Sequence, residues 1–481
     1  MGIETQERSH EQVMLVLVPL MMVLFMATLD QTIVATVLPT IGQQFGEVAN
    51  TPWVATSFLL TSAVTTLLFG KLGDMYGRKP IFLVSIVVFL AGSVLCGFAP
   101  GLWWLVAFRA FQGIGGGGLA SLAMAVIGDI LPARTRSKYM AYTGIVSTLA
   151  LIGGPFLGGL FADTIGWQWI FFINVPIGIV ALIVIGARVT LPKPPPPSGR
   201  IDVAGGITVT IFTTTLLLAT SLGGQDLSWN SPSIIALLAT AAVSLVAYLL
   251  IEQRSQHPIT PLRLFRSGVF TISVVQFFLA NLVLFVAMVF VPLFLQTVRD
   301  YSAFIAGLAL IPMFIGLIIA TSIAGPLITK TGKYKIYPIL AAVMTGVSMW
   351  ALGYVDPTTS VWIVTTPLVF VGAGAGLFVQ VALLGGQNAA PYSDLGVATG
   401  ALNFFKTLGG AFGTAIFSAI FAASTTAATN NTAMAAGFRT TFRWTVPLMA
   451  LSLILGVIMP EKPLSEEMME VAEGKVEAPE Y

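Results

Sequence analysis

Long apolar runs separated by short polar breaks fill the chain from residue 12 to residue 459. A hydrocarbon layer of ~30 Å needs about twenty residues per helical crossing at a rise of ~1.5 Å each, with every backbone amide paired inside the helix. Runs of that length lie near 12–38, 51–70, 80–99, 103–128, 138–161 and 168–187, then near 203–222 and 233–251. Six more follow near 270–296, 304–329, 335–355, 360–384, 397–423 and 440–459. The pattern predicts fourteen transmembrane helices grouped six, two and six.

The breaks between groups carry the domain boundaries. LPKPPPPSG, Leu191 to Gly199, holds four consecutive prolines that favour an extended conformation and stop a helix. PITPLRLFRSG, Pro258 to Gly268, mixes apolar and basic residues over a stretch too short to cross and reads as interfacial. The expected organisation is a bundle over 1–190, a linker with two inserted helices over 191–268, a second bundle over 269–460 and an acidic tail over 461–481. The tail has seven glutamates against two lysines and reads as solvated chain. The bundles share short matches in register. GKLGDMYGRK, Gly70 to Lys79, parallels GPLITKTGKYK, Gly325 to Lys335, and IGGPF at 152–156 parallels LGGAF at 408–412. Repeated bundles around a midplane site are a common transporter design.

Composition agrees with a lipid environment: 56% of residues are hydrophobic and 9% charged, against roughly one quarter charged in soluble domains. The net charge of +2 gives no footing for nucleic acid. The basic residues are distributed by topology. With the N-terminus inside, 18 of the 23 lysines and arginines fall on cytoplasmic connections or tails, and Arg299, Arg439 and Arg443 fall outside. This bias places both termini in the cytoplasm. The first run is too long for a signal-peptide core and carries Asp30, so it is expected to be retained.

Only Arg109 and Lys406 among the basic residues sit within spans, and Asp30 is the one carboxylate well inside a span. A charged carboxylate there costs several kcal/mol or takes up a proton, which suits a proton carrier. Arg109 keeps its charge and needs a partner, for which Asp30 is the candidate, with Gln112 beside it. Lys406, in the first half of the thirteenth run, either snorkels toward the cytoplasm or faces a cavity, where it would favour anionic substrates or join a proton relay. Gly113 and Gly117 are read first as close-packing residues.

Four segments together resemble the major facilitator superfamily and, within it, the fourteen-span drug/proton antiporter group: LDQTIVATVLP at 29–39, GKLGDMYGRK at 70–79, LVAFRAFQGIGGGG at 105–118 and ALIGGPFLGG at 150–159. WQWIFFINVPIG at 167–178 also looks like this group, with Gln168 where arginine is usual. The resemblance implies an all-α fold of two pseudo-symmetric six-helix bundles plus two inserted helices. It also implies a conformational latch of Gly70, Asp74, Gly77, Arg78 and Lys79, in which Asp74 faces the start of the thirteenth span and Arg78 pairs with Asp129. Gly154, Pro155, Gly158 and Gly159 match the antiporter motif, a close interface that seals against leak.

No phosphate-binding GxxxxGK[ST] occurs, so direct ATP drive is disfavoured. Cys96 is the single cysteine, His10 and His257 are isolated, and no HExxH is present. No cofactor, metal or catalytic constellation is expected. The resulting expectation is a monomeric, multi-pass protein of the inner cell membrane, exchanging protons for small lipophilic molecules such as drugs, dyes and biocides. Its nearest rival is the same machinery exporting a specific metabolite, lipid or siderophore.

Overall fold

The computed structural model describes residues 10–130, 133–189, 202–223, 227–255, 260, 262–331, 333–389, 395–425 and 430–460. Its first group comprises α1 (His10–Phe45), α2 (Pro52–Tyr76), α3 (Arg78–Gly97), α4 (Leu102–Ile130), α5 (Ala133–Asp163), α6 (Trp169–Phe172) and α7 (Asn174–Arg188). The inserted pair is α8 (Val203–Leu222) and α9 (Pro232–Arg254). The last group comprises α10 (Gly268–Thr297), α11 (Ala303–Leu308), α12 (Ile311–Thr331), α13 (Ile336–Leu352), α14 (Val361–Asn388), α15 (Leu395–Thr425) and α16 (Asn431–Ile458).

Segments α6 and α7 form one crossing, as do α11 and α12, so the helices make the fourteen spans expected from the sequence. Each break has a local cause. Pro176 and Pro312 fall in the first turn of the second segment, where a missing amide is tolerated and the preceding turn is interrupted. At the other extreme, α2 passes into α3 through Gly77 alone. Its φ of 96° is a conformation that glycine reaches without a Cβ clash.

The two bundles pack by one scheme. In the first, α2 lies on α4, α3 on α4 and α7, and α1 on α4, α5 and α7. In the second, the corresponding contacts are α12 on α14, α13 on α14 and α16, and α10 on α14, α15 and α16. The internal matches in the sequence therefore correspond to equivalent helix pairs. The bundles meet along α1 with α10, α5 with α11 and α12, and α2 with α15.

Outward faces are apolar, as lipid requires. On α9, Ile235, Leu238, Val243, Val246, Leu249 and Leu250 are all exposed. Trp103, Trp104, Trp169, Trp229, Trp350 and Trp362 are exposed near one end of the bundle, where amphipathic rings anchor a membrane interface. This is called the tryptophan-rich end below.

Helix α8 touches both α2 and α15, one helix from each bundle. Five of its threonines turn their hydroxyls onto their own backbone: Thr208, Thr210, Thr213, Thr215 and Thr220 each bond a carbonyl three or four residues earlier.

Candidate functional site

A closed polar cluster lies inside the first bundle. Asp30 stands on α1 with no exposed surface, and Arg109 and Gln112 stand one turn apart on α4 at 1% and 0% exposure. Arg109 Nη1 donates to Asp30 Oδ2 at 2.6 Å and to Gln112 Oε1 at 2.6 Å. Gln112 Nε2 donates to Asp30 Oδ1 at 3.0 Å and to Ser93 Oγ of α3 at 2.7 Å. Asn174, at the start of α7, donates through Nδ2 to Asp30 Oδ1 at 3.1 Å. Arg109 Nε reaches the carbonyl of Val54 on α2 at 3.3 Å, and its guanidinium lies 4.1 Å from the Phe58 ring centre.

Five helices thus converge on one ion pair. Burying a charge without such partners is prohibitive, and breaking a buried pair by removing one member costs about 3–5 kcal/mol. Here the carboxylate accepts three donors, and the guanidinium has an amide oxygen, a carbonyl and an aromatic face besides the carboxylate. One buried atom is left over: Asn174 Oδ1 has no hydrogen-bond partner.

Glycines set the helix spacing that brings these groups together. A Cβ on Gly92 would lie 2.5 Å from the Gln112 backbone, so α3 and α4 touch main chain to main chain beside the cluster. A Cβ on Gly113 would run into Phe58 and Thr61 of α2, and one on Gly115 into Ser85 and Phe89 of α3. Threonines nearby are satisfied locally. Thr32 and Thr36 bond carbonyls of α1, and Thr32 also reaches the Ala150 carbonyl on α5 at 3.3 Å.

A second assembly lies where α5 crosses to the other bundle. Gly154 and Gly158 sit against Thr32 and Ile33 of α1, while Gly159 sits against Ala303 and Phe304 of α11. The Pro155 carbonyl lies against Gly307, and the Phe156 and Phe304 rings are 5.6 Å apart in an edge-to-face arrangement. Asp163 caps α11 from across the interface, accepting the amides of Ala303 at 3.2 Å and Phe304 at 2.9 Å. Beside it, Gln296 of α10 accepts from Thr40 Oγ1 at 3.1 Å and donates to the Thr36 carbonyl at 3.0 Å. Thr56 of α2 meets Thr414 of α15 at 2.5 Å. These contacts join the bundles toward the tryptophan-rich end.

At the α2–α3 junction, Lys79 Nζ donates to the Gly186 carbonyl of α7 at 2.9 Å and Arg78 opens α3. Gly70 and Asp74 lie in the last turns of α2 and Asp129 in the last turn of α4. Their surroundings, and with them the expected Asp74 and Arg78–Asp129 contacts, lie outside the described residues. Lys406 is half-buried on α15, with Nζ 5.7 Å from the Phe277 ring centre.

Asn174, Ser93, Asp163 and Gln296 were not singled out from the sequence. Asn174 carried a usable signal, an amide inside the WIFFINVPIG run. Asp163 and Gln296 stand at span ends, where polar residues are ordinary, and only the three-dimensional crossing distinguishes them.

The family model described as the Major Facilitator Superfamily matches residues 20–414. An uncharacterised MFS-type transporter of Mycobacterium tuberculosis is 40% identical over 81% of this chain, and the match spans 57% of that relative's length. The multidrug transporter protein MdtP of Bacillus subtilis is 34% identical over 85% of this chain and 75% of its own. An efflux pump, FUS6, of Gibberella fujikuroi is 32% identical over 84% of this chain and 74% of its own. Among solved structures, an inward-facing, unoccupied bacterial homologue of the human lysosomal transporter Spinster superposes with a TM-score of 0.68 at 15% identity, covering 98% of this chain and 100% of that one. A D-xylose-proton symporter superposes with a TM-score of 0.64 at 16% identity over 93% of this chain and 98% of its own, which extends the likeness of fold. On this combination of fold, family match and relatives, the chain belongs to the major facilitator superfamily of multi-pass membrane transporters.

Proposed function

We propose that this chain is a proton-coupled exporter of small lipophilic compounds, working by alternating access between its two bundles. The observation that carries the reading is the buried Asp30 carboxylate, paired with Arg109 at 2.6 Å and enclosed by Gln112 and Asn174. Proton exchange needs a titratable group whose partners can tolerate both of its forms. When Asp30 takes up a proton, the Arg109 charge keeps Gln112 Oε1, the Val54 carbonyl and the Phe58 ring. A half-turn of the Asn174 amide then presents its unpartnered Oδ1 to the new hydroxyl. The Asp30 carboxyl therefore has partners in each protonation state, and the exchange biases α1 against α4 and α7.

The relatives named as a multidrug transporter and as an efflux pump support export. The apolar and aromatic interior with few fixed charges supports lipophilic cargo. In this reading the protein is a monomer in the inner cell membrane with both termini cytoplasmic. The bundles comprise 1–190 and 269–460, joined by 191–268, and 461–481 is the cytoplasmic tail. The tryptophan-rich end then faces outward, and the Gly154–Gly159 seam with α11 is the outer seal. Asp74 with Gly70, Gly77, Arg78, Lys79 and Asp129 forms the inner latch. The deciding experiment is transport in proteoliposomes under an imposed pH gradient, comparing the parent with Asp30→Asn. Gradient-driven flux in the parent and none in the variant is expected; equal flux in both would remove the proton-coupling assignment.

A further inference from the structure

The first candidate elsewhere in the molecule is charge. Within the spans, Asp30 and Arg109 are fully buried and cancel one another. Among the described residues Lys406 has no such complement. It is the twelfth residue of α15, so its Cα lies ~16 Å along the axis from the start of that helix at ~1.5 Å per residue. That is farther than a lysine stem extends, and the ammonium is not delivered to the helix end. No carboxylate or hydrogen-bonding oxygen among the described residues meets Nζ. Nζ lies 5.7 Å from the Phe277 ring centre on α10.

Partly exposed aromatic residues lie near Lys406 on α15 and on the facing α10. Leu402, Leu408 and Gly409 around Lys406 are buried, yet Lys406 and Phe405 keep accessible surface, as do Phe278 and Phe285 on the facing α10. These three rings pack against the apolar cluster in which Leu17, Leu59 and further residues of the first bundle join Phe404, Leu408 and Phe412 of α15, which puts them on the seam between bundles. Gly409 and Gly413 bring α15 onto the α10 backbone at Phe278 and Leu282, fixing the register of the lysine relative to the rings.

We propose that Lys406, with Phe278, Phe285 and Phe405, is the recognition point for amphipathic organic anions, aryl carboxylates being the simplest class. This deepens the export reading and rests on it for the direction of transport. An aryl carboxylate supplies the missing counter-charge to the ammonium and stacks its ring among the phenylalanines, so both halves of the ligand meet a complement. A lipophilic cation would instead desolvate next to an unbalanced like charge, which is a selection against it. The site thus divides the lipophilic compounds by charge, where apolar walls alone would not.

The test measures binding to the full chain in lipid nanodiscs with no gradient, by calorimetric titration with 2-naphthoate and 9-anthroate and with their neutral primary amides. The expected result is that each carboxylate binds about tenfold or more tightly than its amide, as a charge-assisted contact requires. Lys406→Gln should abolish that ratio, and Lys406→Arg should keep most of it. Absence of a carboxylate preference in the parent, or a preference that survives Lys406→Gln in protein that elutes and melts like the parent, would overturn the proposal. Because no proton gradient enters the measurement, such a failure leaves the coupling role of Asp30 standing. Conversely, a loss of coupling in Asp30→Asn leaves the anion preference standing.

Discussion

Asp163, the last residue of α5, accepts the backbone amide of Phe304 in the other bundle at 2.9 Å, so the start of α11 is capped by a helix that belongs to the opposite half of the molecule. A carboxylate at a helix start contributes about 0.3–1 kcal/mol when partly exposed. Asp163→Asn keeps an acceptor and loses the charge. The expected outcome is a looser seam: cysteines placed at Phe156 and Phe304, whose rings are 5.6 Å apart, should cross-link roughly two- to fivefold more slowly in the variant, matching that energy. Unchanged cross-linking would mean that the glycine contacts alone hold the seam.

Asp30 should govern coupling in a graded way. Asp30→Asn is expected to abolish pH-gradient-driven flux while neutral ligands still bind. Asp30→Glu, which keeps a titratable group but overfills a site with no exposed surface, should retain a fraction of flux with an altered pH dependence. The companion change Arg109→Ala strands a buried carboxylate and should lower stability by about 3–5 kcal/mol, seen as a large fall in melting temperature.

At the proposed inner latch, Asp74→Asn is expected to reduce transport several-fold per correctly inserted molecule with membrane abundance unchanged. Acidic residues contribute little to orientation, so a purely topological role predicts no change. Flux normalised to surface-labelled protein separates the two.

Gly115 bears on stability rather than coupling. A Cβ there would run into the backbone of Phe89 and Ser85, so Gly115→Ala should push α3 from α4 and cost about 1–3 kcal/mol. A melting temperature within a degree of the parent would show that α3 yields freely. Gly186, with nothing near the added carbon, is the matched control.

The orientation can be tested chemically. In a version lacking Cys96, cysteines at Pro195 and Gly224 are expected to lie on opposite faces of the membrane, the first inside and the second outside. Equal labelling of both from outside by an impermeant thiol reagent would refute the fourteen-span topology.

Span number and grouping were readable from run lengths because lipid forbids unpaired backbone and so enforces a length on every crossing. The same physics made Asp30 and Arg109 conspicuous: a charge in a twenty-residue apolar run has few innocent explanations. Asn174 and Ser93 were harder, since neutral polar residues are inexpensive in a helix and gain meaning only from the groups that face them. The breaks at Ile173 and Ala309–Leu310 were also missed as breaks, because hydropathy is continuous through them and the interrupting prolines could equally sit inside a kinked helix. Asp163 and Gln296 depend on how two bundles dock, which no local pattern encodes.

Helix α8 is placed to act as a bearing. It rests on α2 of one half and α15 of the other, so the proposed rocking of the halves would slide them along its surface. Five of its six threonines spend their hydroxyls on their own helix, leaving no side-chain tether from those groups. Its buried contacts are apolar: Val209 and Leu217 lie in the first bundle's core cluster, and Leu216 packs against it. In the proposed alternating-access cycle, α8 would thus guide both halves through apolar contact.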